Sequence, residues 1–99
     1  MPKEYEGAKN GYHLFPIWVD PKKRDRILDY LTMHGVATMI NYPAIHLFSF
    51  YRKSWGLTEG MYPYAEFIGK STISLPFYPK LTDEEVEYVI NMVSQAVKI

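Results

Sequence analysis

Ninety-nine residues with 47% hydrophobic and 22% charged content describe one ordinary globular domain, expected to bury about 60–65% of its unfolded surface. A formal net charge of zero gives no electrostatic reason to expect a nucleic acid or an anionic membrane as partner. The absence of cysteine excludes disulfides and thiolate metal sites, and with a polar N-terminus and no run near the roughly 20 apolar residues of a membrane span, the expected location is the cytoplasm.

Residues 1–11 are polar, carry Gly7 and Gly11 and show no periodicity, so they are expected to form a linker or arm. Residues 12–19 are β-branched and aromatic. As a strand they place His13, Phe15, Ile17 and Val19 on one face, with Leu14, Pro16 and Trp18 on the other. Pro16 has no N–H for a ladder, which sends this strand to a sheet edge or a bulge. Asp20-Pro21 opens a helix. Ile27, Leu28, Leu31 and the stem of Arg24 fall on its apolar stripe, and Gly35 ends it. His34, just before that glycine, reads as a favourable helix-end group, and Lys22-Lys23-Arg24 as a solvated face.

Residues 36–40 read as a second strand, and residues 43–56 as irregular chain or short helix ending at Trp55-Gly56. Tyr62-Pro63 opens another short helix over 64–70, and residues 72–75 form a third strand. Pro76 and Pro79 bracket a corner. Thr82-Asp83-Glu84-Glu85 is a capping box, with Glu85 expected to reach back to the Thr82 N–H. Val86, Val89, Ile90, Val93, Ala96 and Val97 then make an apolar stripe to the C-terminus. The expected fold is α/β (α+β): a small two-layer sandwich, a three-stranded sheet with two long helices on one face.

Few catalytic templates fit. There is no Gly-rich phosphate loop and no Gly-x-Ser-x-Gly elbow. His13, His34 and His46 lack metal-ligand spacing, so no metal site is expected. Glu84-Glu85 sit in the first turn of a helix, where carboxylates complement the dipole rather than perform acid–base work. The remaining candidate is the segment from Asn41 to Arg52. Asn41 offers a donor and an acceptor, Tyr42 a hydroxyl on a stacking ring, and His46 a titratable ring; Arg52 suits a phosphate. On these residues alone a structural loop is the favoured reading and a binding loop the second. The 16% aromatic share is consistent with a ligand wall, an interface or simply an aromatic core.

Three motifs in order carry a more specific signal: Gly35 to Tyr42 followed by Ala44-Ile45-His46; Pro63-Tyr64-Ala65-Glu66; and Ser74-Leu75-Pro76 leading to Pro79-Lys80-Leu81-Thr82-Asp83-Glu84-Glu85. This series resembles the C-terminal small domain of the DegT/StrS-type sugar aminotransferases, over about residues 12–97. The resemblance implies residues 12–99 as that small domain. The implied parent is a pyridoxal-phosphate enzyme that aminates nucleotide-linked keto-sugars, with glutamate as the usual donor. It implies substrate-binding roles for Asn41, Tyr42 and His46 and a possible phosphate contact for Arg52. It also implies a large domain that carries the cofactor lysine and would precede this one, and a homodimeric parent. Asn41 departs from the family, which usually has histidine there, so a role that needs a positive charge does not carry over to it. No catalytic residue is expected in this chain, and no cofactor bound by it alone. The competing expectations are a stand-alone binding or assembly module with the same fold, and a plain structural domain. An apolar open face would favour the aminotransferase piece, and a polar face with an isolated cleft near His46 the module.

Overall fold

The computed structural model describes residues 3–99; Met1 and Pro2 of the expected arm lie outside the described residues. Two strands, β1 (Phe15–Trp18) and β2 (Thr72–Leu75), form an antiparallel pair in which Phe15 faces Leu75 and Trp18 faces Thr72. The Val19 N–H extends the ladder to the Ser71 carbonyl at 3.0 Å. Ladder alternation then makes Pro16–Ser74 a non-hydrogen-bonded pair, so the nitrogen of Pro16 points away from β2. Proline thus sits on the outer edge, as its missing N–H requires.

The third strand expected over 36–40 does not form. The sheet is two-stranded, and only Met39 pairs with Ser74 on the free side of β2. Met39 and Ser74 exchange both backbone hydrogen bonds, at 3.1 and 2.7 Å. One bridge is all the segment achieves because residue 36 is still finishing the helix cap before it, while Pro43, soon after, cannot donate to a ladder. The first strand is also shorter than its composition suggested, since residues 12–14 lie outside the ladder.

Helix α1 (Arg24–Met33) begins after a turn in which the Asp20 carboxylate accepts the Lys22 N–H at 2.9 Å. The helix therefore starts several residues beyond the Asp20-Pro21 signal. Its C-terminus is a Schellman motif. Gly35, at φ 76°, donates to the Thr32 carbonyl, and the Val36 N–H to the Leu31 carbonyl at 2.9 Å. The motif's hydrophobic contact is supplied by Leu31 and Val36, both buried. Helix α4 (Asp83–Ala96) starts at Thr82, whose hydroxyl oxygen accepts the Glu85 N–H at 3.2 Å. Glu85 does not return to the Thr82 N–H as expected. Its carboxylate accepts the Thr82 and Tyr78 hydroxyls, at 3.0 and 3.2 Å.

Helices α1 and α4 pack together, and Ile27, Leu31, Val36, Ile73 and Ala96 form the core, with Ile17, Leu28 and Val93 against it. At the rim the Tyr30 hydroxyl donates to the Gln95 amide oxygen (2.8 Å) and the Tyr88 hydroxyl to the His34 carbonyl (2.7 Å). His34 stacks on Tyr30 with its Nδ1 on the Tyr30 carbonyl, a helix-end role. Between α1 and β2 runs residues 41–71, which hold a 3-10 turn (Ile45–Leu47), α2 (Ser49–Trp55) and α3 (Pro63–Ser71).

The surface is larger than the chain's mass calls for. Accessible area is 7844 Å2 for 11.6 kDa, where a compact monomer of that mass exposes about 5,800 Å2. Against an unfolded surface of about 1.45 Å2 per dalton, burial is about half, below the expectation from length. The radius of gyration, 15.8 Å, likewise exceeds the roughly 13 Å of a compact domain this long. Exposed aromatic side chains on residues 41–71, Phe50, Trp55 and Tyr64 among them, contribute to the excess.

Candidate functional site

The site is assembled around the strap 41–47. Beyond the Met39 bridge the chain leaves the sheet and runs under α3, where the helix backbone comes very close. A Cβ at Gly69 would stand 2.8 Å from the Ala44 nitrogen and 3.3 Å from two Pro43 backbone atoms. Only glycine permits that approach. Arg24, its stem on the expected apolar stripe, turns its head not to solvent but across from α1, its Nη1 donating to the Gly69 carbonyl at 3.0 Å and its Nε to Asp25 at 2.8 Å. A guanidinium on a last-turn carbonyl satisfies a group the helix leaves unpaired. The strap is thus pinned to α3, and α3 to α1.

The 3-10 turn that follows buries His46, which is 5% exposed, beside Glu66 of α3, which is 7% exposed. The His46 Nε2 and Glu66 Oε1 lie 3.3 Å apart, at ion-pair distance but without hydrogen-bond alignment. The same oxygen accepts the Gly60 N–H at 2.8 Å. That backbone bond is the main cause holding the Glu66 carboxyl below the ordinary carboxylate range; burial opposes it, while His46 and Lys70 support it. The Tyr62 ring stands edge-on to His46 with centroids 5.0 Å apart.

Around this buried pair opens a hollow of about 600 Å3, lined among others by Tyr42, His46, Tyr51, Trp55 and Tyr62. Its wall is mainly aromatic and aliphatic, with phenol hydroxyls and one imidazole as the polar groups, a composition suited to holding the flat or apolar faces of a ligand. It is open: Trp55 is 72% exposed. A smaller hollow near the start of α4, lined by Tyr78, Glu84, Glu85 and Tyr88, has much of its polar capacity engaged within the chain. Burial and the adjoining Glu85 push the Tyr78 hydroxyl above its ordinary value.

Of the four residues read as binding candidates, Tyr42 and His46 share the aromatic hollow. Asn41 and Arg52 are not on its wall. Asn41 is half-buried, with Oδ1 lacking a partner, and the peptide joining it to Tyr42 is cis. Arg52 projects from α2 into solvent. Tyr51, inside the candidate segment from Asn41 to Arg52, also lines the hollow; sequence reasoning missed Glu66 as the partner of His46, and Trp55 and Tyr62 as wall residues. One signal was available: Tyr62, Ala65 and Glu66 stand three and four apart at a proline-marked helix start, hence on one face. Among the described residues no group of three His, Asp or Glu side chains converges as a metal site, and no helix is long and apolar enough to cross a membrane.

The family model for the DegT/DnrJ/EryC1/StrS aminotransferases matches residues 1–94. The chain belongs to that family. It is 30% identical over 102 residues to the spore coat polysaccharide biosynthesis protein SpsC of Bacillus subtilis, covering 98% of this chain and 26% of SpsC. It is 28% identical over 93 residues to dTDP-4-dehydro-2,3,6-trideoxy-D-glucose 4-aminotransferase of Saccharopolyspora spinosa, covering 94% of this chain and 23% of that enzyme. Among solved structures, the PMP form of Spr1654 from Streptococcus pneumoniae superposes with a TM-score of 0.80 at 29% identity, over 87% of this chain and 22% of that one. The chain therefore spans about a quarter of the length of the DegT-family relatives it matches.

Pyridoxal phosphate, the cofactor this family implies, does not fit the residues present here on their own. All eight lysines are solvent-exposed, none lies among the wall residues of the hollow, and the one buried imidazole is turned toward Glu66.

Proposed function

We propose that this chain is the C-terminal small domain of a pyridoxal-phosphate aminotransferase that transfers an amino group, with glutamate as donor, to a nucleotide-linked keto-sugar. In this reading the cofactor and its lysine belong to a large domain. This domain contributes a wall that orients the substrate, with Tyr42 and His46 presented from the aromatic hollow. Asn41 offers hydrogen bonds to a sugar or carboxylate, and Arg52 a cation within reach of a phosphate once the partner surfaces close. The observation that carries the reading is the under-covered aromatic surface. An open, largely apolar hollow beside exposed Trp55 and Phe50 suits a surface that completes a site with another domain. A self-sufficient binding module would instead present a polar, enclosed cleft. The relative that acts on a dTDP-linked dehydro-sugar supports the substrate class, and the likeness to a PMP-form structure the cofactor. We further propose that the whole protein is a homodimer in the cytoplasm.

The test compares the purified chain with the product of its complete reading frame. Each is assayed for a stoichiometric cofactor absorbance band and for glutamate-dependent amination of nucleotide-linked keto-sugars. The expected result is neither property in the chain and both in the complete product. A stoichiometric cofactor band on the chain alone overturns the reading.

A further inference from the structure

Glu66 contributes no atom to the wall of the hollow, yet it is one of few buried charged groups in the chain. Burying a carboxylate is costly unless it is paired and hydrogen-bonded, so its partners show what it is for. One oxygen, Oε1, meets both of them: the Gly60 N–H at 2.8 Å and the His46 Nε2 at 3.3 Å. Gly60 belongs to the 57–62 loop, at φ 91°; His46 belongs to the 3-10 turn. Leu57 and Tyr62 on the loop and Ile45 and His46 on the turn all face the hollow. We propose that Glu66 is the positioning residue of this site: with one oxygen that accepts the Gly60 N–H and faces the His46 Nε2 at ion-pair distance, it clamps the 57–62 loop to the 3-10 turn and fixes the His46 ring. A carboxylate oxygen facing Nε2 selects the form in which Nε2 bears the proton, leaving Nδ1 as the acceptor of the neutral ring.

The surroundings leave this acceptor role to Glu66. Lys70 acts on it through space but is itself paired with Glu59 at 3.5 Å. Tyr62 meets His46 by its ring edge, and the Tyr42 and Tyr51 phenols belong to the hollow rather than to the clamp. The inference rests on the proposed function only for what the hollow binds. The clamp is testable on this chain alone, so its failure would leave the aminotransferase reading standing.

The experiment is nitrogen-15 NMR of the chain with Glu66→Met and Glu66→Gln. Methionine keeps the bulk but removes the acceptor; the glutamine amide oxygen can replace Oε1. Expected in Glu66→Met is a loss of the His46 Nε2–H preference and a rise of roughly tenfold or more in Gly60 amide exchange, the scale of a lost hydrogen bond to a charged acceptor. Glu66→Gln is expected to keep both. A residue serving only as packing would be replaced equally well by either. Wild-type ring state and Gly60 protection in Glu66→Met, or equal loss in both variants, overturns the assignment. If Glu66→Met does not fold, the wild-type chain decides. The Glu66 carboxyl carbon and the Gly60 amide must respond at one acidic midpoint, and a Gly60 amide silent at that midpoint overturns the clamp.

Discussion

Leu31, Ile73 and Ala96 are wholly enclosed, while Phe50, Trp55 and Tyr64 on residues 41–71 each expose more than 60% of their surface. The two regions are held differently. Apolar side chains of α1, β2 and α4 enclose one another, and caps finish the helices. In residues 41–71, single specific contacts hold the strap: the Gly69 close approach, the Arg24 bond to its carbonyl and the Glu66 contacts. The first region encloses its central side chains, though Met33 and Ile90 on its helices stay exposed, and the second leaves most of its aromatic rings in solvent. Changes in the core should therefore act on global stability, and changes in the strap on the shape of the hollow.

The largest expected effect is in the core. Leu31→Ala leaves a cavity at a fully enclosed position and should cost about 2–5 kcal/mol, against a total of roughly 5–15 kcal/mol for a domain. Urea unfolding of the chain measures it. A cost under about 1 kcal/mol would mean that the α1–α4 packing does not dominate stability.

Gly69→Ala comes next and addresses the strap. The new methyl group would meet backbone rather than a flexible side chain, so the helix or the strap must move, at about 1–3 kcal/mol. The expected signature is displaced Tyr42 and His46 resonances with unchanged Ile27 and Ile73 methyl signals. Shifts confined to the core methyls would break the comparison.

The core was legible in the sequence because its signals are local and periodic. Ile27, Leu28 and Leu31 lie at helix spacing, Gly35 ends the helix with a Schellman motif, and Thr82 marks the start of α4. The bridge at Met39 was not legible as such: residues 36–40 have strand composition, but cap geometry and Pro43 limit their pairing. The His46–Glu66 contact joins residues 20 apart; helix spacing puts Glu66 on one face with Tyr62, but nothing local says that His46 will meet that face. Arg24 illustrates the same limit. The stripe places its stem on the inner face and the basic run points its head to solvent, and only the arrival of α3 gives that head a carbonyl to bind. The family resemblance singled out Tyr42 and His46 by motif, but not the rings that surround them.

Acid titration sharpens the comparison further. Because the folded Glu66 pKa is depressed, its contribution to stability is present above the unfolded carboxylate value near 4.5 and is lost as pH falls through the folded one. Unfolding free energy measured against pH should fall in that acidic window more steeply for wild type than for Glu66→Gln. Tyr78 has the opposite sign. Its folded pKa is raised, so the stability it adds is present below the unfolded value near 10 and is lost as pH rises through the folded one. Tyr78→Phe should flatten the alkaline limb. Parallel acidic limbs for wild type and Glu66→Gln would remove Glu66 from the pH dependence.

The smallest effect on the isolated chain is the most discriminating. Trp55 is 72% exposed at the end of α2, so Trp55→Ser should change the chain's unfolding free energy by no more than about 0.5 kcal/mol, as surface substitutions do. An aromatic ring that closes an interface behaves otherwise, because truncation leaves a desolvated pocket unfilled; such anchors cost about 2 kcal/mol or more. Under the proposed function, the same substitution in the whole aminotransferase should therefore weaken association with the large domain, or raise KM for the proposed sugar-nucleotide substrate, by roughly tenfold or more. Silence in both settings would mean that the aromatic surface of residues 41–71 is uncovered in the working protein. The excess area would then be a property of the segment itself, with no missing neighbour to account for it.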